Sequence, residues 1–595
     1  MKVSDYIVDF LVQRGTSDIF MVSGGGIMHL VESVGSHAGM RYVCNHHEQA
    51  CAIAAESYAQ VKQKVGACLV TTGPGATNAL AGIVGSWTDS VPTITICGQV
   101  RRDLIADYAK LRQLGPQELN IVDMARPVTK YVTLVNEPTR IRYELERAFA
   151  AATSGRPGPV LVAVPLDVQG ANVDELSLPG YDNADAADYR PRPEQVRQAI
   201  EMLKAAKRPV LIISSGIHRA QAEELFLRFM KKVKVPTMLA IGGMDLVGET
   251  DEFYQGKFGS LGQRRGNFAL QNSDLVLTLG ASMSVACVGF NTTGLAPKAR
   301  RIMVNIDAGE LAKPTYRADL PIHADVKLFM EAFLCETESI DFQPSEKWRE
   351  ACQRWKQRYP ILTPDYYEDK QHVNSYVFTS ELSDLLGPDA VVVTGNSLDA
   401  WSVYQTFKVK RGQKVFTNVN CGSMGWDLPA AVGASVAQGN RRTILITGDG
   451  SFQFNIQELL TISHNRLDVK IFILNNRGYA SIRGTQTGFF KGHFVGSDAS
   501  SGISNPNYAK IAAAYGLGYD RIETNDQIRS KTATFLATSG PALCELNIAF
   551  AQERRPRISS VRREDGTMES RPLEDMYPFL PREEILENMR TINAD

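Results

Sequence analysis

The chain has 595 residues, 44% hydrophobic and 22% charged. That is a globular composition, and the length predicts three or four domains. Sixty-four Lys and Arg against 65 Asp and Glu leave a net charge of −1, which excludes the basic excess of a nucleic-acid binder, and no apolar run is long enough to span a bilayer. The start, Met1-Lys2-Val3-Ser4-Asp5, has no apolar stretch of secretory type, and nine scattered Cys lack any C-x-x-C spacing. A cytoplasmic protein with reduced thiols and no zinc site is expected.

Apolar strands alternate with helical stretches throughout, which predicts an α/β protein with parallel sheets. In a first block, strands are expected at 65–72, 92–97 and 160–164. The stretch 177–197, rich in Asp, Pro and Ala, reads as a linker. A second block has strands at 208–213, 237–240, 275–279 and 301–306. A charged span from about 335 to 373 leads to a third block, with strands at 390–394, 443–447, 469–474 and 542–546. From Gln552 the chain turns polar, and a surface-draped tail is expected. The first and third blocks share one layout of strand, glycine turn, helix and strand, built on Gly73-Pro74-Gly75 and on Gly448-Asp449-Gly450. Two similar sheets facing each other across a cleft would produce that repetition.

Gly448-Asp449-Gly450-Ser451 follows a strand and precedes a helix expected near Phe452. Free N–H groups and a positive helix end there suit a diphosphate, and Asp449 can hold Mg²⁺ beside it. Asn475-Asn476 follows Gly450 after 24 intervening residues, at the end of the next strand, so Asn476 can reach the same sheet edge. Separately, these pieces read as an ordinary turn and strand end. Asn45-His46-His47-Glu48 reads equally as a capping box, with Asn45 as N-cap and Glu48 at N3. In Cys421-Gly422-Ser423-Met424-Gly425-Trp426, Met424 reads alone as core filling. No G-x-G-x-x-G opens a helix after a strand, which argues against a nicotinamide dehydrogenase.

Taken in order, these motifs resemble those of thiamine-diphosphate enzymes, and over roughly 1–550 the chain is similar to their acetolactate synthase branch. The resemblance implies three doubly wound parallel-sheet α/β domains. These are a pyrimidine-binding domain (1–176), a central domain (190–335) and a diphosphate/Mg-binding domain (373–550), with a tail at 551–595. It implies thiamine diphosphate and Mg²⁺, with FAD possible. Glu48 would share a proton with N1′ of the aminopyrimidine across a subunit interface. The Gly422 carbonyl would accept from the 4′-amino group, and Met424 would wedge the two rings into a bend. Gly73, Asn78, Gly448, Gly450 and Ser451 would line the cofactor. Asp449, Asn476 and the Gly478 carbonyl would ligate the metal, and His29, Gln117, Lys130 and Thr485 would face substrate.

The activity implied is carboligation. A 2-oxo acid, pyruvate foremost, loses CO₂ and its acyl unit passes to a carbonyl acceptor, in a homodimer or homotetramer with interfacial sites. The alternatives are a decarboxylase or a C–C lyase or hydrolase on the same cofactor. A non-catalytic binding subunit is a further alternative, against which the intact Glu48, Asp449 and Asn476 argue. The chain departs from the branched-chain enzymes at Pro116, where phenylalanine is usual, at Thr485 for tryptophan, and at His29 for proline. These departures imply a more open acceptor pocket and look more like the carboligases of branched-sugar clusters, such as the yersiniose-forming one. For a flavin, Gly280–Ala286 lacks the expected arginine, leaving Gln263-Arg264-Arg265 and Arg219 as candidates.

Overall fold

A computed structural model describes residues 1–184, 187–565 and 567–590. Residues 185, 186, 566 and 591–595, which include parts of the expected linker and tail, lie outside it. Three six-stranded parallel sheets carry the chain. The first contains β1 (Asp18–Met21), β2 (Arg41–Cys44), β3 (Gly66–Val70), β4 (Thr93–Gln99), β5 (Tyr131–Leu134) and β6 (Val160–Pro165), in the order β2-β1-β3-β4-β6-β5. β3, β4 and β6 are buried at every position, as a sheet covered on both faces requires.

The second sheet contains β7 (Pro209–Ile213), β8 (Thr237–Leu239), β9 (Tyr254–Lys257), β10 (Leu275–Leu279), β11 (Arg300–Asn305) and β12 (Leu320–His323). Its order is β12-β11-β10-β7-β8-β9. Winding reverses between β7 and β10, which opens a crevice at their carboxyl ends. The third contains β13 (Val391–Thr394), β14 (Lys414–Phe416), β15 (Thr443–Gly448), β16 (Val469–Asn475), β17 (Gly518–Ile522) and β18 (Ala542–Asn547). Its order, β14-β13-β15-β16-β18-β17, repeats the first sheet strand for strand.

The strands expected from sequence are all interior, although interior β1, buried throughout, is not among them. Of the unexpected edge strands, β2 and β17 are mostly exposed and β5 is half-buried, whereas β9, Tyr-Gln-Gly-Lys, is buried but has no apolar run. Two other expectations are corrected. The helix Pro193–Ala205 begins inside the expected linker; Pro193 opens it, and Val196, Ala199, Ile200 and Leu203 pack into the central core. The tail does not simply drape the surface. It pairs Ser560–Arg562 with Met568–Ser570 and buries Leu573, Met576 and Ile585. Asn588 also accepts a 2.8 Å hydrogen bond from Trp355 Nε1.

The first and third units share one apolar core. The helix Glu48–Lys62 is buried along Ala50–Ala59, and its small side chains let Asp427–Ala437 lie close against it. Ser57 Oγ donates to the Ala430 carbonyl at 2.6 Å. A Cβ on Gly433 would stand 2.0 Å from the Ala54 carbonyl oxygen, so only glycine fits there. Contact passes from 430 to 433 as it passes from 57 back to 54, so the two helices run antiparallel.

Candidate active site

β15 ends at Gly448, and the next helix begins at Asp449 rather than near Phe452. The Asp449 carboxylate is 1% exposed. It accepts from Gly450 N at 2.8 Å, Gly478 N at 3.0 Å and Asn505 Nδ2 at 2.7 Å. Burial pushes its carboxyl up despite these donors. Asn476 lies beyond the end of neighbouring β16, where Arg483 Nη2 donates to its carbonyl at 2.9 Å. Gly478 has φ +127°, and a Cβ there would stand 2.4 Å from the Ser497 carbonyl oxygen. The sheet edge therefore brings Asp449, Asn476 and Gly478 together. Asn505 and Arg483 complete this edge and escaped the sequence reading; the first sits in a loop without any pattern, the second in a helix, donating to backbone carbonyls and, at 3.5 Å, to Asn476 Oδ1.

The segment 421–426, expected to bend the cofactor, closes over the same edge. Gly425 N donates to Ser451 Oγ at 2.8 Å, and Asn455 Nδ2 donates to the Gly425 carbonyl at 2.6 Å. Met424 Cε is 3.2 Å from the position of a Cβ on Gly450. Gly422 has φ +62°, and its carbonyl accepts from the Asn396 amide. Asp89 anchors the segment to the first unit, accepting from Val419 N at 2.8 Å and Asn420 N at 3.0 Å. Trp426 Nε1 donates to Glu56 at 3.2 Å. Burial, then the neighbouring Asp89 charge, push Glu56 up to about 8.

Glu48 is the first residue of its helix, and the N-cap is His47, whose ring accepts from Gln49 N at 3.2 Å. The capping box on Asn45 is thus corrected. Asn45 Nδ2 and His46 N instead donate to Glu458 at 2.8 and 2.9 Å. Glu48 is left to accept from Asn78 Nδ2 at 3.0 Å. Gly73, at φ +64°, lies against Gln117, whose carbonyl oxygen would be 1.9 Å from a Cβ there. Glu48, Gly73 and Asn78 therefore gather where β2 and β3 end, with Gln117 against Gly73. His29 lies over Gly170, its Nε2 2.9 Å from a Cβ position there. Lys130 donates to the Ser154 carbonyl at 2.5 Å, and desolvation pulls it down to about 8. Among the described residues, neither side chain is hydrogen-bonded to the Glu48 group. Thr485 lies exposed on the helix Ala480–Phe490, donating to the Ser481 carbonyl at 3.2 Å.

Three family profiles match the sequence in order. They are thiamine pyrophosphate enzyme, N-terminal TPP binding domain, over residues 1–124; its central domain over 196–333; and its C-terminal TPP binding domain over 395–546. The chain is 31% identical over 571 residues to an acetolactate synthase large subunit of Cyanidium caldarium, covering 93% of this chain and 94% of that one. The chain belongs to the thiamine-diphosphate enzymes of acetolactate synthase type. Similarity of the same order extends to acetolactate synthase isozyme 2 large subunit of Escherichia coli (strain K12), at 30% identity with 92% and 96% covered. The chloroplastic acetolactate synthase of Arabidopsis thaliana is 31% identical, with 94% and 83% covered.

For a thiamine-diphosphate enzyme, the third sheet edge is chemically apt. Among the described residues no three His, Cys, Asp or Glu converge as a metal cluster. One buried carboxylate with amide and carbonyl oxygens is the hard, incomplete donor set that Mg²⁺ takes beside a diphosphate. A second cavity lies at the β7–β10 crevice, lined by Ser214, Gly216, Gly280, Ser282 and Arg219. Arg219 Nε is buried there without a partner. Arg264 turns away to the Met576 carbonyl, and Arg265 pairs with Glu249 at 2.8 Å. Of the expected flavin-side arginines, Arg219 alone lines the crevice.

Proposed function

We propose that this acetolactate synthase-type enzyme is a carboligase that takes pyruvate as acyl donor and a carbonyl compound larger than pyruvate as acceptor. The observation that carries the reading is the convergence of Gly422, Met424, Gly450, Ser451 and Asp449 on one sheet edge, with Glu48 on the matching edge of a like-wound sheet. Bound thiamine diphosphate supplies the electron sink for loss of CO₂. Asp449, Asn476 and the Gly478 carbonyl would hold Mg²⁺. The Gly422 carbonyl, now paired with Asn396, would accept from the aminopyrimidine, and Met424 would set its angle. Glu48 would hold the proton exchanged with N1′. FAD is proposed for the β7–β10 crevice, where serine hydroxyls and Arg219 suit a diphosphate. Domain limits of 1–176, 190–335 and 373–550 are proposed on the same footing, with a tail at 551–595.

Active sites are proposed between two copies of the chain. Trp426 meets Glu56, eight residues past Glu48 and so about 12 Å along the helix. A protomer therefore holds its own bend segment away from its own Glu48. Phe454 and Leu460, on the helices that follow the Gly448-Asp449-Gly450 turn, are also 54% and 46% exposed, apolar surface that a second copy would cover. Sedimentation during turnover is expected to find a dimer or tetramer; an active monomer would contradict the shared site. No helix among the described residues is long and apolar enough to cross a membrane. A cytoplasmic setting is proposed from the nine free cysteines.

The acceptor reading rests on Pro116 and on Thr485, which is much smaller than an indole and stands exposed. A keto sugar of the branched-sugar type suits such a pocket. Incubating the holoenzyme with pyruvate and a panel of ketones, aldehydes and keto sugars, with products identified by mass, is the direct test. Thr485→Trp is expected to lower ligation to the large acceptor by about tenfold more than ligation to pyruvate. If the wild type prefers pyruvate as acceptor over everything offered, the enzyme makes acetolactate and the enlarged-pocket reading fails.

A further inference from the structure

Arg554 follows β18 and lies over the helix Leu398–Thr406, with its guanidinium carbon 3.9 Å from the centroid of the Trp401 ring. It is partly buried, yet among the described residues it makes no hydrogen bond and no ion pair. Two nearby arginines are paired or hydrogen-bonded, while the Arg557 side chain, among the described residues, lies only over the Tyr577 ring. Arg555 pairs with Asp365 at 2.6 Å, and Arg483 donates to the carbonyls of Asn476 and Phe550, both at 2.9 Å. Burial, then the nearby charge of Arg557, lower Arg554 to about 10, so it stays protonated at neutral pH. A guanidinium carries five N–H donors in a rigid planar fork. Here one face rests on an indole and the edge of the fork has no acceptor.

The position ties this group to the site. Arg554 Nη2 is 3.7 Å from the position of a Cβ on Gly484, the residue before Thr485. Trp401 N donates to the Ser397 carbonyl, one turn earlier, at 3.0 Å. Ser397 Oγ meets Ser481 Oγ at 2.5 Å, and the adjacent Asn396 holds the Gly422 carbonyl. The guanidinium thus overhangs the wall that carries Thr485, linked through one short helix to the bend segment.

We propose that Arg554 is a specificity-determining residue that binds an anionic group, a carboxylate or a phosphate ester, on the carbonyl acceptor. The assignment rests on the carboligase reading and narrows it, because a neutral keto sugar would leave the fork unpaired while a phosphorylated one would fill it. Planar, paired donors match either anion in a two-point contact.

The test compares the wild-type and Arg554→Gln holoenzymes with saturating pyruvate and matched acceptors: glyceraldehyde 3-phosphate against glyceraldehyde, and 2-oxobutyrate against its ethyl ester. In wild type the anionic member of at least one pair is expected to have the higher kcat/KM, and the responding pair tells phosphate from carboxylate. Arg554→Gln should cut that preference about 10- to 100-fold, and Arg554→Lys should restore part of it. Equal losses on charged and neutral members would reduce Arg554 to a stacking partner of Trp401 and overturn the proposal. So would a wild-type ratio near one in both pairs. CO₂ release from pyruvate without ligation to any acceptor would be a different failure, one of the carboligase reading itself, and the assignment would fall with it.

Discussion

Glu48→Gln is expected to keep its cofactor and lose about 10²–10⁴-fold in turnover, the usual cost of removing one general acid–base group. The local structure makes this substitution a clean probe. Glu48 opens its helix, but His47 provides the cap, so the helix start does not depend on the carboxylate. The hydrogen bond it accepts from Asn78 can pass to a glutamine oxygen. Asp449 and its partners lie in a different sheet and are untouched, so affinity for thiamine diphosphate should stay within a fewfold of wild type. What glutamine cannot do is exchange a proton with N1′. The measurement is hydrogen–deuterium exchange at cofactor C2 in the holoenzyme, read after acid quench, beside the melting temperature. A large loss of exchange with unchanged melting assigns proton transfer to Glu48. Exchange close to wild type would return Glu48 to a purely structural role.

What could be read from the sequence followed the length of the apolar run. β1 and β9 are buried throughout, but β1 begins with Asp18 and β9 holds Gln255 and Lys257, so neither offers a long run and neither was expected. β3, β4, β6, β15 and β16 are covered on both faces or nearly so, and their unbroken apolar runs announce them. β5 at an edge is half-exposed throughout and could be recognised only by its partner β6. The tail escaped because Leu573, Met576 and Ile585 are isolated apolar residues in polar sequence, without a period to expose them. The site divides in the same way. Asp449 and Asn476 were legible because strand ends fix their interval. Asn505, Asn396 and Glu458 were not, because each acts through a fold-made contact across 26 to 413 positions of chain. The capping-box reading of Asn45 failed for a related reason: its amide was already engaged by Glu458 of the third unit, a contact that no local pattern contains.

Asp449→Asn is expected to abolish Mg²⁺-dependent retention of thiamine diphosphate. The carboxylate is the single anionic side chain among the proposed metal ligands, and burial already works against its charge. A nearby cation is what favours the ionised form, so the site gains most from Mg²⁺ through this one residue. Asparagine keeps the volume and one acceptor for Gly478 N, Gly450 N or Asn505. With that oxygen placed to serve Gly478 N and Asn505, it leaves Gly450 N without an acceptor, where alanine would strand all three donors at a cost of about 1–3 kcal/mol each. Thermal unfolding separates the two effects. Wild type at a hundredfold excess of cofactor over Kd should gain about 2.7 kcal/mol, seen as a rise in Tm that chelating Mg²⁺ removes. The variant without cofactor should melt within a few degrees of wild type without cofactor, and adding thiamine diphosphate and Mg²⁺ should not move it. An undiminished rise in Asp449→Asn would mean that the diphosphate is held without this carboxylate. The metal site would then have to be sought elsewhere on the edge formed by β15 and β16.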